Sequence, residues 1–119
     1  VLMNIYDRVA AAFAELCGGT VGHGSRMVMA KGGSVRKRYF GGGCIRRGTY
    51  TLTVRGSDLK KAMEELSECA ERVCGYRENG VFSVMLTESS CGCDERGIWT
   101  CSADITADIY DGGDESDGS

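Results

Sequence analysis

Proline is absent from the 119-residue chain, so its 18 glycines do most of the punctuation. Apolar runs are short, and none approaches the roughly 20 residues that a membrane-spanning helix needs. Residues Val1 to Asp7 lack the basic start and long apolar stretch of a signal peptide. A soluble, non-exported protein is the expectation, with Val1-Leu2 lying upstream of a natural-looking start at Met3. Histidine occurs once, as His23, and no serine or cysteine beside it forms a recognisable nucleophile motif. Gly41-Gly42-Gly43 lacks the Lys-Ser/Thr of a phosphate-binding loop, and no dinucleotide fingerprint follows a strand. Asp94-Glu95 is an acidic pair that nothing marks as a general acid and base. No enzyme and no cofactor is expected. The chain also lacks an internal repeat of 20–50 residues.

The chain is 42% apolar and 26% charged, which excludes a wholly disordered polymer and fits one domain. Net charge is only −3, too small to point to a polyanionic partner, but its distribution is uneven. Residues 1–60 carry 10 Lys/Arg against 3 Asp/Glu, and residues 61–119 carry 4 against 14. Three readings fit this split: a nucleic-acid face with an acidic tail, unlike surfaces meeting on neighbouring copies, or neutralisation within one molecule.

Seven cysteines make an odd set: Cys17, Cys44, Cys69, Cys74, Cys91, Cys93 and Cys101. Without an export signal they are expected to be mostly reduced and unliganded. Cys69 falls on the apolar face of a predicted helix and Cys101 on that of a predicted strand, so both are expected to pack as small hydrophobes. Cys69-x4-Cys74 with Cys91-x-Cys93 approximates zinc-knuckle spacing poorly, and no metal is expected.

Ile5, Val9, Phe13 and Leu16 lie on one face of a predicted first helix, with Asn4 as N-cap and Gly18-Gly19 as the stop. Residues 20–56 read as β-structure. A weak strand holds Val21 and Met27 to Met29, and Lys31-Gly32-Gly33-Ser34 reads as a turn or flexible loop. A short strand spans Val35 to Phe40, the triple glycine breaks it, and a clear alternating strand runs from Ile45 to Arg55. Ser57 is the expected N-cap of a second helix, whose apolar stripe includes Leu59, Ala62, Met63, Leu66, Cys69, Ala70 and Val73. Val81 to Thr87 is apolar enough for a central strand, and Glu88 to Gly97 reads as a polar loop. Ile98 to Tyr110 alternates throughout, with Trp99, Cys101, Ala103, Ile105, Ala107 and Ile109 on one face. Residues 111–119 contain no apolar side chain and read as a disordered acidic tail after a single domain over 3–110.

The order α-β-β-β-α-β-β predicts an α+β two-layer sandwich, a mainly antiparallel sheet with both helices on one face. Phe13, Leu52, Leu66 and Trp99 are its expected buried core. The best candidate binding surface is the basic hairpin, where Arg36, Lys37, Arg38 and Tyr39 precede the triple glycine and Arg46 and Arg47 follow it. Basic residues interleaved with aromatics can hold a nucleic-acid strand, although the rest of the chain is acidic. A hairpin arm docking on an acidic neighbour fits equally well. A nucleic-acid module built on the hairpin and a zinc module built on the cysteines remain the alternatives.

The layout resembles the small tail terminator proteins of long-tailed bacteriophages, often called minor capsid proteins in phages of Gram-positive bacteria. The likeness spans residues 3–110. It rests on the order of elements, on Lys37-Arg38-Tyr39-Phe40-Gly41-Gly42-Gly43 and Gly48 to Gly56, and on the closing strand Gly97 to Ile105. The cysteines are not part of that family's pattern. The resemblance implies a structural virion protein that forms a hexameric ring. Such a ring caps the tail tube, ends its polymerisation and presents the docking surface for the head–tail connector, and DNA later passes through its lumen. Its implied place is the head-proximal end of the virion tail, reached from the host cytoplasm, with no membrane involved. Together with the charge split, it makes Arg36, Lys37, Arg38, Tyr39, Arg46 and Arg47 the expected subunit contact.

Overall fold

The structure, a computed structural model, describes residues 4–112. Helix α1 spans Ile5–Cys17, and the Asn4 side chain caps it by accepting from the Asp7 amide at 2.8 Å. It buries Val9, Ala10, Phe13, Ala14 and Cys17, while Ile5 and Leu16 at the edges of the predicted stripe are only partly covered. The last turn carries no basic residue of its own. Its free carbonyls are instead met from outside: Arg26 donates to the Cys17 carbonyl at 3.1 Å and Arg72 to that of Leu16 at 3.4 Å.

Strand β1 (Thr20–Val21) pairs parallel with β2 (Arg26–Arg38), and every other pairing in the five-stranded sheet is antiparallel. β3 (Cys44–Gly56) follows across the turn at residues 39–43. The sheet order is β1-β2-β3-β5-β4, where β4 is Val81–Cys93 and β5 is Trp99–Asp111. Helix α2 (Leu59–Cys74) connects β3 to β4 and lies beside α1 on one face, giving the predicted two-layer α+β sandwich. Phe13, Leu52 and Leu66 are buried, and Tyr50 packs edge-on against Phe13 with ring centroids 5.1 Å apart. The inward row of β5, Cys101 to Ile109, is also buried.

Several expectations are corrected. Lys31 to Ser34 is not a turn but the middle of β2, paired through Gly32–Thr49, Gly33–Gly48 and Ser34–Arg47 with a register shift at Ala30/Gly32. The glycine at 33 serves close approach instead: a Cβ there would run into the Tyr6 ring of α1. The cap of α2 is Asp58, which accepts from the Lys61 amide at 3.3 Å, and not Ser57, because the helix begins one residue later than the sequence suggested. Val81 to Thr87 lies at the sheet edge; β5, with its longer alternation, lies inside the sheet between β3 and β4.

The expected loop at 88–97 is mostly strand. β4 pairs with β5 as far as Cys93–Trp99, and only residues 94–98 turn. Asp94 closes that turn by accepting from the Ile98 amide at 3.0 Å and the Arg96 amide at 2.8 Å, bonds that also hold its carboxyl below the usual range. Trp99 is half-exposed, not largely buried, because the last pairs of the β4–β5 ribbon extend past the helix layer. Asp111, expected to open the acidic tail, is instead the last residue of β5, paired with Cys44, and the expected tail from residue 113 lies outside the described residues.

Candidate assembly surface

β3 lies directly beside β5, so the basic half of the chain meets the acidic half inside one molecule. On the open face of the sheet, Asp108 receives Arg47 at 2.9 Å and Arg36 at 3.2 Å, and Lys31 stands 3.6 Å from Asp104. On the helix face, Arg46 pairs with Asp111 at 2.8 Å and reaches the Tyr6 hydroxyl at 3.5 Å. Those two contacts hold the Arg46 guanidinium firmly protonated, Tyr6 contributing most. Arg26 pairs with Glu65 at 3.0 Å. The charge split is therefore partly neutralised within the subunit.

The six residues singled out as a subunit contact divide accordingly. Arg36, Arg46 and Arg47 are held by Asp108 and Asp111. Lys37, Arg38 and Tyr39 sit at the hairpin tip, and among the described residues no carboxylate pairs with either cation. Lys37 lies 5.3 Å from the Tyr39 ring centroid, a cation–π contact that stiffens the arm. Phe40 beside them is fully exposed. Gly41, Gly42 and Gly43 all adopt positive φ (83°, 101° and 84°), and this left-handed run turns the chain tightly enough to leave Phe40 at the apex. The motif was legible in the sequence as a candidate binding segment; that Phe40 stands at its apex depends on the three left-handed glycines.

A second feature had no sequence signal. Between α2 and the distal half of β4 lies an apolar groove of about 430 Å³, lined by Met63, Leu66, Ala70, Leu86, Cys91 and Ala103. Met63 is 51% exposed and Leu86 49%, although both belong to runs that read as core. The groove exists because β4 extends sideways beyond the cover of α2.

Cys91 and Cys101 stand directly opposite each other on β4 and β5, Cα atoms 4.1 Å apart, and form a disulfide. The expectation of mostly reduced cysteines is corrected to this extent: antiparallel register brings together two residues that the sequence separates. Cys17, Cys44 and Cys69 are buried free thiols, Cys74 is half-buried and Cys93 exposed. The Cys69 thiol points at the Cys17 carbonyl at 3.8 Å. Contact with Cys69 and then burial push the Cys17 thiol well up. Among the described residues no group of three or more potential metal ligands gathers. His23 is engaged locally, its carbonyl accepting from the Thr20 hydroxyl.

No protein-family model matches the chain, and no curated protein matches it. Its fold does match a solved structure. The similar chain belongs to the virion of a native gene transfer agent (GTA) particle. The superposition has a TM-score of 0.52 at 13% identity and covers 90% of this chain and 92% of that one. The likeness is one of fold, and it runs nearly end to end in both chains. No helix among the described residues is long and apolar enough to cross a membrane.

Proposed function

We propose that the protein is a structural virion component that assembles as a ring, of six copies by resemblance to tail terminators, at the head-proximal end of a phage-type tail. The ring ends tube polymerisation, docks the head–tail connector, and lets DNA pass through its lumen. The end-to-end fold match to a chain of a virion particle carries this reading. The surfaces support it. The outer edge of β4 has no strand beside it among the described residues, and β1 covers β2 only at Met27 and Val28. Two open edges on opposite sides of one sheet give each copy two different faces, which is what a closed ring of heterologous contacts needs. Lys37 and Arg38, without a carboxylate partner among the described residues, form with Tyr39 the arm that reaches the neighbouring copy. Arg36, Arg46 and Arg47 brace it from within the subunit.

The test is a tube-capping assay. Tail-tube protein is polymerised with and without this chain, and the products are viewed by electron microscopy. Shorter tubes bearing extra density at one end are expected. Tubes of unchanged length with bare ends would overturn the reading.

A further inference from the structure

Phe40 and the α2–β4 groove are the two exposed apolar features best matched in kind, one a protruding ring and the other a concavity. They cannot meet within one subunit. Phe40 projects from the β2–β3 turn beside the Cys44–Asp111 end of the sheet, whereas the groove lies at Leu86 to Cys91, across β5 and further toward the opposite end. An occupant from this chain must come from a second copy.

We infer that the Phe40 ring of one subunit seats in the groove between α2 and β4 of the next. The inference rests on the ring reading above and names its contact. The groove's 430 Å³ is ample for one benzyl side chain, and its lining is mainly apolar, Met63, Leu66, Ala70, Leu86 and Ala103 outweighing the serines on its rim. The charges beside each feature are complementary. Lys37 and Arg38 precede the ring. Along α2, Glu64 and Glu71 share a helical stripe with the groove residue Ser67, and Lys60 is the one cation on that stripe. An aromatic anchor flanked by cations, entering an apolar slot with an acidic border, is the usual anatomy of an interface hot spot. Because tip and groove are different surfaces, the contact is heterologous and every copy has one of each to offer.

Complementing variants test this. Phe40→Ala removes the ring and keeps the groove; Leu86→Arg fills the groove and keeps the ring. Each alone should weaken self-association about tenfold or more in sedimentation velocity, with the circular dichroism of the wild type. An equimolar mixture should form a heterodimer that grows no further, since only one productive tip–groove pair exists per two chains. Should Leu86→Arg fail to fold, Met63→Arg, at an equally exposed groove position, replaces it. Wild-type oligomers accompanied by equally strong Phe40→Ala oligomers would overturn this contact and leave the ring standing. A wild type that stays monomeric at its highest soluble concentration would overturn both.

Discussion

Tyr50 and Cys17 sit in the core as groups that must stay protonated. Tyr50 is fully buried, donates to the Tyr6 carbonyl at 3.1 Å, and has its phenol pushed up by burial. Contact with Cys69 and burial push Cys17 in the same direction. Both folded values lie above the unfolded ones, so their contribution to stability is whole below the unfolded values of 9.0 and 10.0 and is lost progressively as pH rises above them. The Cys69 thiol, lowered to about 7 by the same contact, acts with the opposite sign, so Tyr50 carries the test: urea midpoints are expected to fall above pH 10, less steeply in Tyr50→Phe. A midpoint that rises through pH 10 would contradict the burial of these groups. The Cys91–Cys101 bond gives a second residue-scale test. Thiol titration of the protein denatured without reductant should count five of the seven cysteines, and a count of seven would show that the two strands meet without bonding.

At the scale of elements, the helices and β5 were the parts most legible in the sequence. A 3.6-residue stripe and a strict alternation over about ten residues each have one satisfactory partner surface, so Phe13, Leu66 and Ile105 declare their own burial. Length of strand was harder to read. Gly32-Gly33 in β2 and the polar run Glu88 to Cys93 in β4 look like loops because their side chains do not alternate in polarity. They are strands because the neighbouring backbone offers a full ladder, a tertiary fact that no local window contains. The candidate surface shows the same limit. The basic residues were visible, but Asp108 and Asp111 as partners of Arg47 and Arg46 depend on β3 lying beside β5. Gly33→Ala tests the reading of β2: the new methyl meets the Tyr6 ring and displaces it from Arg46, at a cost of about 1–3 kcal/mol in chemical denaturation. An unchanged midpoint would mean that α1 does not rest on β2 there.

The whole molecule is long and thin, 54 × 28 × 21 Å, with a helix layer shorter than its sheet. What extends beyond that layer is what a monomer has least use for: a Phe-tipped basic arm, an apolar groove, and, among the described residues, two open strand edges. Monomeric proteins blunt such features, and assembling ones keep them. The central claim is that these surfaces join different faces of successive copies into a closed ring. Native mass spectrometry of the purified protein across a concentration series tests it most directly. The account predicts a hexamer at high concentration, with odd-numbered species such as trimer and pentamer among the intermediates, because heterologous contacts add one copy at a time. A population that stops at a symmetric dimer, or that stays monomeric throughout, would contradict it.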